Sequence, residues 1–481
     1  MRRRDERLVA VGGGRRQPPL GRARDRHGVR RRVPRQRRRG GAGLRPAFVF
    51  SPDRCTGCEA CRVACGIENG DGRDTGWRQV TTFNPARHPS LPTRHLSLAC
   101  NHCERPACAL GCPAKAYRRD EATGAMLIDE AKCIGCRYCS WVCPYDAPRF
   151  DAGAGVMTKC TFCSHRLVAG RDPACTVACP TGALALGRTD GRGEEPAMEG
   201  LGTFGLLPAL QVVPPRRNAP PDGVDEEDAG EPLPFPRLPE RKITFGSEWG
   251  LWLFTLVFPA LVGWFAGGLR HSERAPALLF FLAPGLLATG LSTIHLGKPL
   301  RAWRAVLNLR TSWLSREALL APLFLLLGLP YVGLVHASPQ LGFPALVAGL
   351  LLCVSIDGVY RAVARSGEGT GHSSEATPTA LLYAGLVGGM PWLALVAGAL
   401  KTVRLVSGMR ERRGQVPALV LLARFGLLAM ALAPGLTWTL AFPLAFLGEV
   451  IDRALFYAGL EPSTPATRMA AEAEVRLSAV P

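Results

Sequence analysis

Two patterns of apolar and polar positions divide the chain. From Trp249 onward, apolar residues run in windows at roughly 249–269, 276–296, 317–336, 341–360, 379–400, 416–433 and 435–456. Each is about long enough to cross a hydrocarbon core of ~30 Å. Most carry no charge in their middle, which excludes a buried soluble core and predicts an all-α polytopic transmembrane bundle of seven or eight helices. Upstream the apolar groups are short. Ala125–Ile128, after the Thr123–Gly124 turn, reads as one strand of a hairpin, and Ala183–Leu186, after Pro180-Thr-Gly182, as another. An α+β domain of small hairpins is expected there.

Between the halves the period fails. Eight Pro fall between Val213 and Glu240, around the acidic run Asp222-Gly-Val-Asp-Glu-Glu-Asp228. This composition predicts an extended connector, with the apolar stretches Leu201–Leu207 and Leu210–Val213 lying against the upstream domain. The expected boundaries are a tail at 1–45, a first domain at 46–190, a linker at 191–246, a membrane part at 247–460 and a tail at 461–481.

Charge sharpens the N-terminal end. The chain has 481 residues and a net charge of +19, and residues 1–45 hold 17 Arg against Asp5, Glu6 and Asp25. That segment has no aromatic residue to stack on a base, so nucleic acid is not an expected partner. Twin arginines at Arg2–Arg3 and Arg15–Arg16 lack an apolar stretch of sufficient length after them, which argues against a targeting signal. The segment reads as a disordered tail or as sequence upstream of the true start.

Sixteen of the 17 Cys lie between Cys55 and Cys179, in four groups of four. Cys55, Cys58, Cys61 and Cys65 are spaced C-x2-C-x2-C-x3-C. Cys100, Cys103, Cys108 and Cys112 follow as C-x2-C-x4-C-x3-C-P. Cys133, Cys136, Cys139 and Cys143 repeat the first spacing with Pro, and Cys160, Cys163, Cys175 and Cys179 form C-x2-C-x11-C-x3-C-P. Thiolates in this series surround an iron–sulfur cube, and the fourth Cys points away to another cluster. Zinc sites use paired C-x2-C units instead, and disulfides need an oxidising compartment. Sixteen thiolates supply four [4Fe–4S] clusters. The fold expected is a double ferredoxin-like iron–sulfur domain followed by the membrane bundle. Trp141, Tyr145, Phe150 and Phe162 are expected to pack on the clusters, and Arg54, Arg137, Lys159 and Arg166 to offset cluster charge or simply face solvent. Exchange of fourth cysteines between consecutive groups and a nested exchange both satisfy the spacing. Cys353, inside an apolar window, reads as a packed core thiol.

Polar residues at the window ends carry the remaining chemistry. His295 ends the second window and Glu317 opens the third, both on the ferredoxin side. His336 ends the third window on the opposite side. A haem bridging two helices needs two His at similar depth, so no intramembrane haem is expected. A quinone site fits better, because imidazole and carboxylate exchange the protons that accompany two electrons. The loops at 297–316 and 401–415 carry five Lys/Arg each and face opposite sides in a seven-helix arrangement, so the positive-inside rule does not set orientation. Without a signal, a cytoplasmic ferredoxin domain is expected.

Residues 46–190, with Pro46-Ala-Phe-Val-Phe, Cys55-Thr-Gly-Cys-Glu-Ala-Cys-Arg-Val-Ala-Cys65 and Lys159-Cys-Thr-Phe-Cys163, resemble the four-cluster electron-transfer subunit of dimethyl sulfoxide reductase. Residues 247–460, through His295-Leu-Gly-Lys-Pro-Leu-Arg-Ala302, Leu314-Ser-Arg-Glu317 and Glu449-Val-Ile-Asp-Arg-Ala-Leu-Phe-Tyr457, resemble the membrane anchor of that complex. Similar four-cluster subunits serve nitrate, polysulfide, formate and hydrogenase complexes. The resemblance implies a fusion of the two subunits that oxidises menaquinol without haem and passes electrons to a molybdopterin-containing catalytic subunit acting on S- or N-oxides. A polysulfide, thiosulfate or other oxyanion complex, and an anchor scaffold without quinone chemistry, are the rival readings. The implied location is the bacterial inner membrane, in contact with lipid and the quinone pool. The resemblance also implies nested pairing: Cys55, Cys58, Cys61 with Cys179; Cys160, Cys163, Cys175 with Cys65; Cys100, Cys103, Cys108 with Cys143; Cys133, Cys136, Cys139 with Cys112. With Cys139 present, a fourth cubane is implied rather than a three-iron cluster. His295, Glu317 and Arg301 are the implied quinol-site residues. The family's anchor has eight helices against seven windows here. One helix near 401–415 therefore reads as lost or shortened, which would put Glu449–Tyr457 on the side away from His295.

Overall fold

The computed structural model describes residues 44–70, 76–84, 88, 91–190, 198–215, 243, 245–333, 338–364, 375–411, 418–460 and 462–478. The Arg-rich segment before Leu44, most of the connector and His336 lie outside the described residues. Those described belong to one compact unit, 43–481.

The first half is built of short elements around cysteine loops. In order they are β1 (Arg45–Phe50), α1 (Ala60–Asn69), β2 (Gln79–Phe83), β3 (Arg94–Leu98), α2 (Ala107–Gly111), β4 (Tyr117–Arg119) and β5 (Met126–Ile128). Then come α3 (Tyr138–Trp141), β6 (Arg149–Asp151), β7 (Val156–Thr158), α4 (Ser164–Val168), α5 (Ala174–Val177), β8 (Leu184–Thr189) and β9 (Leu210–Val212). β4 and β5 form the hairpin expected around Thr123–Gly124. β8 does not form a local hairpin. It pairs antiparallel with β1, from Arg45↔Thr189 to Phe50↔Leu184, while β9 joins the other edge of β1 in parallel. The apolar stretch at 210–213 thus lies on the ferredoxin-like region as its composition requires.

The second half is all-helical. α6 (Phe245–Arg270), α7 (Leu278–Ile294), α8 (Trp313–Gly333), α9 (Phe343–Ala364), α10 (Ala376–Val387), α11 (Pro391–Glu411), α12 (Ala418–Ala431) and α13 (Trp438–Gly459) are eight helices among the described residues. Three stretches, Gly246–Arg270, Trp313–Gly333 and Pro339–Val363, are individually long and apolar enough to cross a membrane. α7 and the 3-10 helix at Pro299–Val306 are long and apolar enough only when taken together, and the pair is bent by 108°, a broken span or a re-entrant loop. The window at 379–400 is two helices rather than one. The chain reverses at Gly388–Met390, with Gly389 at φ +62°, a left-handed conformation that glycine adopts without strain, and Pro391 opens α11. The expected loss of a helix near 401–415 is therefore corrected, since α11 runs to Glu411. Cys353 is fully buried, the packed thiol expected.

Two features bind the halves together. Tyr138, Trp141 and Val142 from the cysteine-rich half join one apolar core with Phe254, Phe258 and Phe324 of the bundle. Trp141 therefore packs towards the bundle helices. The last described segment, read as a tail, is a helix, α14 (Pro465–Ser478), that returns to the first half. Arg468 donates to the carbonyls of Gly200 and Pro144, each at 2.9 Å, and Arg476 meets Glu199 at 3.2 Å.

Candidate functional site

The cysteine loops share a local design. Residues beside the thiolates take left-handed backbone, including Gly57, Glu59, Gly135, Arg137, Phe162 and Cys163. That bend turns amide N–H groups inward onto sulfur. The amides of His102, Ala116, Gly135, Phe162 and Leu184 donate to Cys100, Cys112, Cys133, Cys160 and Cys179 at 3.3–3.4 Å. Such bonds stabilise the charged form of a thiol.

Small cavities sit among the thiols. One is lined by Cys55, Cys58, Cys61 and Cys179. A second is lined by Cys112, Cys133, Cys136 and Cys139, and a third by Cys100, Cys103, Cys108 and Cys143. Each takes three cysteines of one group and one of another. For the remaining four, the Asn69 side-chain amide reaches Cys65 Sγ at 3.9 Å and Cys163 Sγ at 3.6 Å. Cys65, Cys160 and Cys175 lie close enough to act on one another electrostatically. Among the described residues no three His, Cys, Asp or Glu converge on a point fit for a single metal ion. A polynuclear cage holds its thiolates further apart than a zinc ion does.

The surroundings fit an anionic iron–sulfur group. Burial, reinforced by neighbouring thiols, pushes Cys103, Cys108, Cys139 and Cys160 well up from the ordinary thiol range. Iron is what makes thiolates stable in such a place. Arg78, absent from the sequence-based candidates, is 1% exposed, and its Nη1 donates to Ser97 O at 3.0 Å. Burial lowers its pKa, but Cys175, Cys160, Cys61 and Cys65 outweigh that and raise it. Its Nε and Nη2 are buried without a partner among the described residues. Lys159 is buried as well. It donates to Met126 O and Cys160 O and lines the third cavity. Arg166 instead pairs with Glu68 at 2.8 Å, and Arg137 lies over the Phe150 ring at 4.1 Å.

The seam between the halves is polar and specific. Asn308 donates to Cys112 O at 2.9 Å, Ser312 to Gly111 O at 2.8 Å, and Tyr138 Oη to Val359 O at 3.0 Å. Gly297 lies so close to Gly155 that a Cβ added at Gly297 would collide with the Gly155 carbonyl oxygen. Overpacking of this kind costs about 1–3 kcal/mol. Gly297→Ala is expected to lower the thermal unfolding midpoint of the membrane-extracted protein, and Gly290→Ala, where the space is open, to leave it in place.

Beside this seam is a cavity of about 320 Å³, a size that holds a small organic molecule. His295, Glu317 and Tyr360 line it together with Thr293, Trp141 and Cys136. Glu317 is 5% exposed and has no hydrogen-bond or ion-pair partner among the described residues, and His295 Nδ1 is buried and unpartnered there. The two residues singled out in the sequence thus meet in one chamber. Arg301 is not part of its lining. Its guanidinium donates to Glu130 O at 2.8 Å and Cys133 O at 3.1 Å, so it holds the loop of the third cysteine group. Of the Glu449–Tyr457 stretch, expected on the far side, the Tyr457 end reaches this site. Tyr457 hydrogen-bonds to Tyr360, because the extra helix reversal restores α13 to the ferredoxin side.

Comparison with known families agrees with both halves. Residues 92–189 match the family described as a 4Fe-4S dicluster domain, and residues 246–363 match the DMSO reductase anchor subunit. The chain is therefore an iron–sulfur electron-transfer subunit joined to its own membrane anchor. It is 39% identical over 146 residues to one chain of the anaerobic dimethyl sulfoxide reductase of Haemophilus influenzae, covering 28% of this chain and 71% of the relative. It is 35% identical over 188 residues to the chain of the same name from Escherichia coli, covering 37% and 91%. One subunit of the sulfite dehydrogenase of Allochromatium vinosum is 34% identical over 197 residues, covering 36% and 82%. The protein is thus a member of the family of that dimethyl sulfoxide reductase chain, with the anchor fused behind it.

Proposed function

We propose that this chain oxidises menaquinol in the cavity between its halves. It would serve a molybdopterin-containing catalytic subunit that reduces dimethyl sulfoxide or a related S- or N-oxide. Four [4Fe–4S] groups, when bound, supply one-electron transfer between the two. Their ligands in this reading are the four sets gathered above, each pairing three cysteines of one group with the last of another. The setting is the bacterial inner membrane, with the iron–sulfur half at the cytoplasmic face and no haem in the bundle.

The observation that carries the reading is the double position of Cys136, which lines both the quinol-sized cavity and the second thiol cavity. Within the chamber His295 Nδ1 is free to hydrogen-bond a quinol oxygen, and Glu317 is free to take its proton. Arg301 is a positioning residue that fixes the Cys133 loop above the chamber. At the other end Cys58 is exposed, and the exposed apolar side chains of Val63, Ile67, Val168 and Val177 fit a partner-docking surface. A second reading, electron flow towards quinone, is favoured by the sulfite dehydrogenase relative.

Redox-titrated EPR of membranes holding the complex, with and without a quinol-site inhibitor, tests the proposal. Four interacting [4Fe–4S] signals are expected, one of them perturbed by the inhibitor. A haem signal, a three-iron signal, or four clusters indifferent to the inhibitor would each contradict part of it.

A further inference from the structure

The bundle buries a charged network that quinol binding does not use. Lys401 of α11 is 1% exposed and sits within 2.7–3.0 Å of Glu375 Oε2, Asp452 Oδ2, Glu449 Oε2 and Thr379 Oγ1. An ammonium has three N–H bonds, fewer than these four acceptors. The Thr379 hydroxyl has one proton and two further acceptors, Glu375 O at 2.6 Å and Glu449 Oε2 at 2.9 Å. Arg424 Nε also meets Asp452 Oδ1 at 3.4 Å. Arg424 and Arg453 lie beside it, 1% and 2% exposed. Nη1 and Nη2 of Arg424 and Nε and Nη2 of Arg453 are buried without partners among the described residues. Asp357 also acts electrostatically on Arg453, while its carboxylate accepts the amides of Ala376 and Thr377 at the start of α10. Ionisable groups at membrane depth are costly and cluster where charge must move.

One face of α13 runs from the cavity to this network. Glu449, Asp452, Arg453, Phe456 and Tyr457 follow a helical i, i+3, i+4, i+7, i+8 pattern and share one face of α13. Tyr457 is hydrogen-bonded to Tyr360, and Tyr360 lines the cavity beside Glu317. Arg453 acts electrostatically on both tyrosines and on Glu449 and Glu375. Its unpartnered N–H groups are sites for a bridging water, which needs two or more polar partners. A network that only stapled helices together would not need a hydroxyl pair opening on a chamber.

We propose that the Lys401 network is an internal proton acceptor for the cavity, fed through Tyr360 and Tyr457. This rests on the quinol reading above. Oxidation of one quinol to quinone breaks two O–H bonds and releases two electrons and two protons. The two electrons would leave singly, one after the other, to the [4Fe–4S] relay that the thiols would hold. One proton moves from the quinol through Tyr360 and Tyr457 to a carboxylate of Glu375, Glu449 or Asp452, forming one O–H bond there, and the other leaves by way of the Glu317 carboxylate to water, which takes it up as a hydronium ion.

The test uses the whole complex in proteoliposomes, with a short-chain naphthoquinol as donor. Infrared difference spectra are recorded on oxidation, together with kcat, KM and the solvent deuterium effect. Tyr457→Phe keeps the ring and removes the hydroxyl. It is expected to lower kcat about tenfold or more, raise the deuterium effect, leave KM unchanged and remove a protonated-carboxyl band. In the parent protein that band is expected to vanish with at least one of Glu375→Gln, Glu449→Gln and Asp452→Asn. The proposal is overturned if Tyr457→Phe changes neither the band nor the deuterium effect, or if the band survives all three substitutions and disappears only with Glu317→Gln. A parent complex that oxidises no quinol, though dithionite reduces its clusters, would instead sink the quinol reading itself.

Discussion

Cys136→Ser is expected to stop quinol-driven reduction of the iron–sulfur domain while leaving most of that domain intact. Cys136 lines both the thiol cavity beside the seam and the chamber that holds His295 and Glu317. Serine is a poorer iron ligand than a thiolate, so the neighbouring group would be lost or converted to a three-iron form. Even residues one shell removed from a metal cost 10–100-fold when changed, so a ligand change at the point of electron entry should cost about 10²-fold or more. Dithionite, which needs no chamber, should still reduce the remaining clusters of the proposed four. Cys58→Ser at the exposed end should give the opposite pattern. There quinol would still reduce the inner clusters, but delivery to the catalytic subunit would fail. EPR under each reductant separates the two cases. Unchanged quinol-driven reduction in Cys136→Ser would move electron entry elsewhere.

What could be read in the sequence follows from which interactions are local. The cysteine loops are local devices, so spacing alone exposed the sixteen thiols and the hairpin of β4 and β5. Their pairing is not local, and spacing left two arrangements open. The pairing of β8 with β1 joins residues far apart in sequence, and nothing in Leu184–Thr189 names its partner. His295 and Glu317, which line one cavity, stood out in the sequence because polar groups at window ends are rare. Arg301 holds a loop rather than lining the chamber, and in the sequence a cation near that end looks the same in either place. α11 was hidden by its own chemistry. Lys401 and Arg404 read as a polar loop, yet Lys401 is buried against acids from Glu375 and α13. Only tertiary pairing makes such a charge compatible with a helix among apolar neighbours. Arg78 carried no local signal at all, being one of 58 basic residues. α14 was read as a tail because its anchors, Gly200 and Pro144, accept through backbone carbonyls that no side-chain pattern announces.

His295→Ala and Glu317→Gln are expected to disable the chamber from its own side. In the proposed chemistry each residue supplies what a quinol needs as it is oxidised. His295 Nδ1 is buried and unpartnered among the described residues, and an unmet polar atom in such a place costs about 1–3 kcal/mol. A quinol hydroxyl would meet it. Glu317 is buried and makes no ion pair among the described residues, so nothing competes with the quinol for its carboxyl group. Proton transfer by a positioned side chain contributes about 10²–10⁴-fold. Each variant should therefore lower quinol-driven kcat by roughly 10²-fold or more. Glu317→Gln removes the acceptor but keeps the shape, so it should reduce kcat with little change in KM. His295→Ala removes a contact to the quinol as well, and should also raise KM. Neither residue is among the thiols or lines their cavities, so cluster content and dithionite reduction should match the parent. If both variants oxidise a naphthoquinol at the parent rate, the chamber is not the quinol site, and the anchor-scaffold reading gains the ground it loses.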